Sequence, residues 1–330
     1  MIEKEWYNTK KLERYANDAN LIFVVGERRI GKTLHFLQKA FELWYSEHKS
    51  TMWLRNKKIE FQDPSFVKDF LNAPKKFGWC DENVICFPDG VYTDKNKTEQ
   101  IIKFQSISTF SNRRGNMTDD VYMMVLDEFM PEDRKFPKRC HIGLLSIIKT
   151  VMECREDAKC YCLSNFISSA NPYFVGFRIY PKKEYDVTYY KDKGIAIEVC
   201  RGYRNAIQKD NPWNRVFEAG RYQDYGEAEE DHLFNLVCKI PKGGELNHIF
   251  LISEGITYGN TFANGLVYFH EVKPTTKYVY ATTLQETTDK INLLPKFYKK
   301  MIEEWSNNNL LRFSNPNVMY AILSIIYDTV

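Results

Sequence analysis

Long apolar runs are missing from this chain of 330 residues. Its uninterrupted apolar stretches reach about five residues, as in Leu21 to Val25, whereas a membrane-spanning helix needs about 20. The N-terminus has no apolar segment of the secretory type. Glycine and proline, at 16 and 12 residues, are too few for a fibrous chain. We therefore expect a globular, cytoplasmic protein that makes no membrane contact.

Cysteine occurs in no metal-binding arrangement, and neither sign of charge dominates. The eight cysteines include no Cys-x-x-Cys pair, and the six histidines do not fall at ligand spacing. Cys160 and Cys162 alternate within an apolar run, as buried strand residues do, so we expect free thiols. Because 46 basic residues face 43 acidic ones, any contact with nucleic acid must come from local patches.

A strand, a glycine-containing turn, a helix and a second strand are indicated near the N-terminus. Leu21 to Val25 is a short β-branched-rich run that ends at Gly26, which predicts a buried strand. Residues 33–45 place apolar side chains at helical spacing, and Thr51 to Arg55 then predicts a second strand. Such a βαβ unit implies a parallel sheet.

The alternation of strands and helices continues to about residue 200 and then changes. We predict strands at Val121 to Leu126 and Ala158 to Leu163, with a helix at 140–153 between them. These features indicate an α/β fold with three parts, listed in chain order: a domain at 1–204, a linker or lid at 205–231, and a smaller domain at 232–330 that carries strands followed by helices at 290–305 and 316–328.

Residues 26–33 match the phosphate-binding pattern G-x-x-x-x-G-K-[ST] without departure, between a predicted strand and a predicted helix. We predict that Lys32 bridges the β- and γ-phosphates and that the Thr33 hydroxyl binds Mg²⁺. Arg28 is a candidate for γ-phosphate contact, and Arg29 a weaker one, since arginine suits phosphate; the alternative is that both point to solvent. The nucleotide-binding residues are Gly26, Glu27, Arg28, Arg29, Ile30, Gly31, Lys32 and Thr33.

Two further strand ends carry polar residues that complete a hydrolytic site. Asp127 and Glu128 follow the strand at Val121 to Leu126; Asp127 is expected to hold Mg²⁺, and Glu128 to polarise the attacking water. Asn165 ends the next strand and is a candidate sensor of the γ-phosphate. The adjacent Asp-Glu pair favours an additional-strand, catalytic-glutamate (ASCE) P-loop NTPase over a small-molecule kinase, whose acceptor is a substrate hydroxyl.

These motifs resemble the phi29-type DNA-packaging ATPases of small short-tailed phages. The resemblance rests on the phosphate-binding turn, on Val125 to Phe129, and above all on Cys160 to Phe174, with weaker similarity at Trp6 to Asn8 and Leu311 to Phe313. It therefore extends over nearly the whole chain. It implies an ASCE ATPase domain with a mostly parallel sheet, followed by a smaller RNase H-like α/β domain.

The resemblance also implies a function and partners. It predicts a ring, a pentamer in this family, that hydrolyses ATP at subunit interfaces. The ring drives double-stranded DNA through the portal of a procapsid in the cytoplasm of an infected bacterium, in some cases with a scaffold RNA. Arg155 matches the arginine that such rings supply to the neighbouring site; the alternative is a solvent-exposed ion pair with Glu153 or Glu156. Arg113 and Arg114 are both candidates for a second such residue.

Related large terminases add a nuclease that needs about three carboxylates around two metals. Here the segment Ile249 to Glu254 offers only Glu254 at its end, so the resemblance predicts this fold without cleavage activity. A terminase with an active nuclease, and a nucleotide-dependent ring-assembly protein without motor activity, remain alternatives.

Two basic clusters are candidate DNA contacts. A translocase must hold the phosphate backbone rather than the bases, because it moves over any sequence. A basic run is also what a solvated surface contains, which is the alternative for both clusters. The six residues are Arg55, Lys57 and Lys58 after the second strand, and Lys296, Lys299 and Lys300 on a C-terminal helix.

Overall fold

A computed structural model of the chain describes residues 6–109, 120–131, 135–165, 168–201, 203, 234–247, 249–273 and 278–327. The chain divides into two compact units. The first contains Met1–Ile167 and Pro181–Glu230, and the second contains Ser168–Tyr180 and Asp231–Val330. No helix within the described ranges has the length and apolar character that a bilayer crossing requires.

The first unit is built on one large sheet. Its strands are β1 (Leu21–Gly26), β2 (Ser50–Arg55), β3 (Ile85–Phe87), β4 (Gly90–Tyr92), β5 (Gln100–Ser106), β6 (Val121–Asp127), β7 (Lys159–Ser164), β8 (Val187–Tyr190) and β9 (Ile195–Cys200). Its helices are α1 (Lys10–Tyr15), α2 (Lys32–Glu47), α3 (Ile59–Gln62), α4 (Pro64–Asp69), α5 (Asn72–Lys76) and α6 (Cys140–Met152).

The order of these strands is β3-β4-β5-β2-β6-β7-β1-β9-β8. The six strands from β5 to β9 in this order are parallel, and β3, β4 and β8 add antiparallel pairs at the two edges. β7 lies between β1, which precedes the phosphate-binding turn, and β6, which precedes Asp127 and Glu128. This intervening strand is the additional strand of the ASCE class, and the α/β fold predicted from the sequence is confirmed.

Both faces of the sheet are covered, which explains why its central strands are continuously apolar. On one face α2 packs its buried side chains, and the Phe36 ring lies 4.4 Å from that of Tyr161 on β7. On β1, Phe23 is fully buried, with its ring centroid 5.1 Å from that of Phe129. Each such aromatic contributes about 1.5–3 kcal/mol through burial. The core therefore holds the carboxyl ends of β1, β6 and β7 in a fixed relation.

The second unit contains a smaller mixed sheet. Its strands are β10 (Glu245–Leu246), β11 (Phe250–Ser253), β12 (Ile256–Ala263), β13 (Leu266–Glu271), β14 (Val279–Ala281), β15 (Asn292–Leu293) and β16 (Leu311–Phe313). Its helices are α7 (Pro172–Phe177), α8 (Lys296–Asn307) and α9 (Pro316–Tyr327).

The topology of this sheet is that of an RNase H-like domain. β11, β12 and β13 form an antiparallel meander, and β14 and β15 continue in parallel on the other side of β11. β16 pairs in parallel with β13 at the opposite edge. The apolar faces of α8 and α9 bury Tyr298, Ile302 and Ile322 in a core with the sheet.

Some boundaries differ from the sequence predictions. Ser168–Tyr180 belongs to the second unit, because Val175 of α7 is buried in that unit's core, whereas the sequence placed it in the first domain. The predicted linker at 205–231 lies outside the described residues. The helix predicted at 290–305 begins at Lys296, after a two-residue strand, and β12 was not predicted because Gly259 to Thr261 interrupt its apolar pattern.

Candidate active site

The phosphate-binding turn joins β1 to α2, and close packing fixes its shape. Gly31 has φ of 93°, in the left-handed region, and caps α2. A Cβ on Gly31 would lie 2.7 Å from the Trp6 ring, and one on Gly26 would lie 2.5 Å from the Cβ of Cys200. Gly31 is therefore required by its backbone conformation and Gly26 by lack of space.

Lys32 lies within this turn and is almost completely buried. Its Nζ donates to the carbonyl oxygens of Gly26 (2.8 Å) and Glu27 (2.7 Å) and, more weakly, to Oδ1 of Asn165 (3.4 Å). Burial lowers the pKa of Lys32 to about 8, although Cys200 and Asp127 act in the opposite direction. The ammonium is thus held at the base of the turn, where an anion would restore its preference for the charged form.

Thr33 and Asp127 meet at the carboxyl end of β6. The Thr33 hydroxyl donates to Oδ1 of Asp127 at 3.2 Å, and the Asp127 side chain is only 5% exposed. A hydroxyl and a carboxylate are oxygen ligands of the kind that Mg²⁺ prefers. The donor set at this point therefore fits a magnesium ion held with a nucleotide.

Glu128 follows Asp127 with φ of 55°, a conformation unusual for glutamate that turns the chain sharply at the strand end. The Asn56 side-chain amide donates to the carbonyl oxygens of Glu128 (2.9 Å) and Phe129 (3.2 Å) and holds this turn. The Glu128 carboxylate is half exposed and faces the cleft. The strained backbone thus presents an acid at the edge of the sheet.

Arg55 joins the two acids. Its Nη1 donates to Oε2 of Glu128 at 2.6 Å, and its Nη2 donates to Oδ2 of Asp127 at 3.0 Å. Burial opposes the charge of Arg55, but Asp127 and Glu128 more than offset this and raise the pKa of the guanidinium. Arg55, which the sequence placed in a basic cluster, is thus mostly buried and ion-paired with the two acids in the free chain, and its contact with DNA stays a prediction.

One cleft of about 240 Å³ brings these groups together. Its lining residues are Trp6, Arg29, Gly31, Lys32, Thr33, Leu34, Asp127, Glu128, Leu163, Ser164 and Asn165. Of the two loop arginines predicted to contact phosphate, Arg29 lines the cleft, whereas Arg28 is half-buried outside the lining. The sequence prediction missed Trp6 and the pairing of Arg55. The pairing of Arg55 could have been anticipated, because Arg55 ends a predicted strand as the two acids do.

Arg155 lies near the amino ends of the parallel strands, whereas this cleft lies at their carboxyl ends. Arg155 follows α6 and precedes the first residue of β7, whereas Asn165 follows the last. At about 3.3 Å per residue, the amino and carboxyl ends of the six-residue strand β7 are about 17 Å apart. The guanidinium donates to the Val151 carbonyl oxygen and lies 5.4 Å from the centre of the Tyr122 ring. It does not line the cleft of its own chain.

The other predicted residues lie elsewhere. Lys57 and Lys58 precede α3, and Lys296, Lys299 and Lys300 lie in the first turns of α8. Both sets stay predictions as DNA contacts. Arg113 and Arg114 lie outside the described residues.

Glu254 occupies the tight turn between β11 and β12, with φ of 53°, and is ion-paired with Arg178. The described residues contain no group of three or more His, Cys, Asp or Glu side chains arranged to hold a metal ion. A guanidinium thus faces the one carboxylate that the sequence offers at the end of the segment Ile249 to Glu254.

The sequence is similar to known proteins along almost its whole length. A family model described as Podovirus DNA encapsidation protein (Gp16) matches residues 1–327. The DNA packaging proteins of Bacillus phages phi29 and PZA are each 25% identical to the chain over 339 residues, covering 98% of both sequences.

Solved structures share the fold of the whole chain. The Phi-28 gp11 DNA packaging motor superposes with a TM-score of 0.70 at 16% identity, covering 99% of this chain and 98% of the other. The bacteriophage Phi-29 viral genome packaging motor assembly superposes with a TM-score of 0.66 at 23% identity, covering 98% and 99%. Each unit of this chain therefore has a counterpart in these solved structures.

Replacing Arg55 tests its pairing with the two acids. We expect Arg55→Ala to lower the free energy of unfolding by about 2–4 kcal/mol, because it leaves the buried Asp127 carboxylate unpaired. The double variant Arg55→Ala/Asp127→Asn should recover part of this loss. Lys58→Ala, which removes an exposed neighbouring charge, should stay within about 0.5 kcal/mol of the wild type. Urea unfolding at pH 7 measures all four proteins, and equal stability of Arg55→Ala and Lys58→Ala would contradict the pairing.

The pKa of Lys32 predicts how nucleotide affinity depends on pH. Below pH 8 the free turn already holds the ammonium, so affinity for ATP should change little. Above pH 8 binding must restore a proton, and affinity should fall by up to tenfold per pH unit. Titration calorimetry from pH 7 to 9.5 measures this fall. Lys32→Arg keeps its charge over that range, so a fall of the same slope in this variant would rule out Lys32 as its cause.

Proposed function

This chain belongs to the podovirus DNA encapsidation protein (Gp16) family, and we propose that it is the ATP-hydrolysing motor that moves double-stranded viral DNA through a portal into a procapsid. The observation that carries the proposal is the convergence of the phosphate-binding turn, the Thr33–Asp127 pair, Glu128 and Asn165 on one cleft. The phosphate-binding turn alone would allow a nucleotide to bind, whereas a carboxylate beside it can also orient water for hydrolysis of ATP.

Each group in the cleft has a distinct task in the proposed reaction. Backbone N–H groups of the turn and the N-terminus of α2 bind the β-phosphate, and Lys32 exchanges its carbonyl partners for phosphate oxygens. Thr33 and Asp127 would hold Mg²⁺, which would supply positive charge beside the phosphates. Asn165 lies within reach of Lys32 and serves as a donor to the γ-phosphate. Glu128 orients the water that attacks it.

The ion pair with Arg55 restrains this chemistry in the nucleotide-free chain. While Arg55 donates to Oε2 of Glu128 at 2.6 Å, that carboxylate oxygen is not available to the attacking water. We propose that Arg55 releases Glu128 when the nucleotide is hydrolysed. Such a restraint suits a motor, because ATP is not hydrolysed until Arg55 has moved away from Glu128.

A ring arrangement is supported by the position of Arg155. Its distance from the cleft of its own chain means that any contact with a γ-phosphate is made to a neighbouring copy. An arginine supplied across an interface contributes about 10³-fold or more to phosphate transfer in other NTPases. We therefore propose hydrolysis at subunit interfaces of a ring, with five copies as the family resemblance implies.

The remaining partners are proposed from the family. The relatives are DNA packaging proteins, and a related structure is a viral genome packaging motor assembly. We accordingly propose a portal and, as the resemblance implies, a scaffold RNA as partners in the cytoplasm of the infected cell. We further propose that the second unit does not cut DNA, which is supported by the ion pair of Glu254 with Arg178.

Hydrolysis stimulated by DNA tests the proposed function. With procapsid, portal and linear duplex DNA present, phosphate release should rise, and Glu128→Gln should lower it by about 10²–10⁴-fold while ATP still binds. Supercoiled plasmid incubated with Mg²⁺ or Mn²⁺ should stay intact. Nucleotide binding without turnover under every condition would favour a ring-assembly protein, and nicking that disappears in Glu254→Ala would favour a nuclease.

Mixing two inactive variants tests the role of Arg155. Arg155→Ala should bind ATP but not hydrolyse it, and Lys32→Ala should lack the phosphate contact. Mixed rings contain interfaces that join an intact turn to an intact Arg155, so phosphate release should partly return. Lys149→Ala removes an exposed charge on α6 and serves as the control, with activity like that of the wild type. Mixed rings that assemble without activity would contradict action across the interface.

A further inference from the structure

The cleft has an apolar part that the phosphate chemistry does not use. Beside its charged and polar groups, it is lined by Trp6, Gly31 and Leu34. Leu34 follows Thr33 in the first turn of α2, and Trp6 reaches the same region from the N-terminal segment. A triphosphate cradled by the turn leaves a nucleoside to be accommodated nearby, and apolar surface is what a base requires.

Trp6 is placed as a platform rather than as a core residue. Its six-membered ring packs on Gly31, where an added Cβ would approach Cε3 to 2.7 Å and Cζ3 to 3.4 Å. The residue nevertheless keeps 51% of its surface exposed. The indole thus has one side on the phosphate-binding turn and much of its surface in water, where a planar ligand bound at the turn can pack against it.

The segment that carries Trp6 is anchored to the sheet. The Tyr7 backbone N–H donates to the Ile30 carbonyl oxygen at 2.9 Å, and the Tyr7 hydroxyl donates to Oε2 of Glu198 on β9 at 2.8 Å. Tyr7 is only 2% exposed, and the Tyr203 hydroxyl donates to the Asn8 carbonyl oxygen at 3.3 Å. These bonds hold the indole at a defined place beside the turn, which a loose N-terminus could not do.

We propose that Trp6 is the surface on which the base of the bound nucleoside triphosphate stacks, and that Tyr7, through Glu198, is the positioning residue that holds it there. The proposal rests on the proposed function and names the part of the ligand that the residues above leave unassigned. Stacking uses the face of the base and reads none of its hydrogen-bonding groups. Purine triphosphates should therefore bind better than pyrimidine ones, with little distinction between ATP and GTP.

Comparison of ATP with inorganic tripolyphosphate tests the platform, because the second ligand has the phosphates without the base. In titration calorimetry with Mg²⁺, Trp6→Ala should weaken ATP binding about 10- to 100-fold, the usual range for loss of one base–aromatic stack. Binding of tripolyphosphate should change by less than about twofold, and Trp6→Phe should retain most of the ATP affinity.

Each other outcome has a separate meaning. Equal loss for both ligands in Trp6→Ala would overturn the proposal and leave Trp6 as a support of the turn. No loss for either ligand would place the base elsewhere and overturn it as well. A wild-type protein that binds neither ligand would instead contradict the proposed function, and a protein that binds both without hydrolysis would contradict that function while leaving the platform intact.

The positioning role has its own readout. Tyr7→Phe should raise the KM for ATP several-fold with kcat unchanged, because the indole is held less well while the catalytic groups are untouched. The control variant Glu198→Gln keeps Tyr7 and an acceptor for its hydroxyl, so its KM for ATP should stay near that of the wild type. A fall in kcat in both variants, with KM unchanged, would mean that this pair supports the fold and does not position Trp6.

Discussion

The parallel register of four strands is the constraint on which the site depends. Leu54 of β2 pairs with Leu126 of β6, Asp127 of β6 pairs with Leu163 of β7, and Ser164 of β7 pairs with Val25 of β1. Parallel strands end at the same edge, so the residues that follow these pairs lie side by side. A shift of one residue in any pairing would move a carboxylate or an amide to the other face of the sheet. The buried aromatics on both faces prevent such a shift.

This arrangement places strong charges where water is scarce, and Arg55 compensates for them. Asp127 is nearly buried, and without a cation beside it the charged carboxylate would lower the free energy of unfolding. Arg55 supplies that cation in the free chain, whereas Mg²⁺ would supply it in the proposed complex. An exchange of Arg55 for Mg²⁺ at Asp127 would then link nucleotide binding to the position of Glu128, which Arg55 also contacts.

The sheet also separates the groups that act within one chain from the one proposed to act between chains. The turn, the two acids and Asn165 lie at the carboxyl edge, whereas Arg155 lies before the amino end of β7. In a ring, neighbouring copies can bring opposite edges of two sheets together. The N-terminal segment adds a third contribution at the carboxyl edge, because Tyr7 ties Trp6 to both the turn and β9.

The local sequence determined the elements and the chemistry at their ends. The phosphate-binding turn, the Asp127–Glu128 pair and Asn165 could be predicted because each follows an apolar run too short for anything but a buried strand. The class of NTPase followed from the same residues, and the resemblance indicated the family. These features depend on neighbours in the chain, which a sequence displays directly.

The tertiary structure decided which distant residues meet. Arg55 looked like part of a basic surface cluster, and only the pairing of β2 with β6, which lie some 70 residues apart in the chain, turned it toward the acids. In the sequence Trp6 carried only a weak family similarity, and its place beside the turn depends on the bond from Tyr7 to Glu198, 191 positions away. Ser168–Tyr180 joined the second unit through burial of Val175. Such contacts arise from strand order and core packing, which depend on the free energy of the whole fold and leave no local pattern.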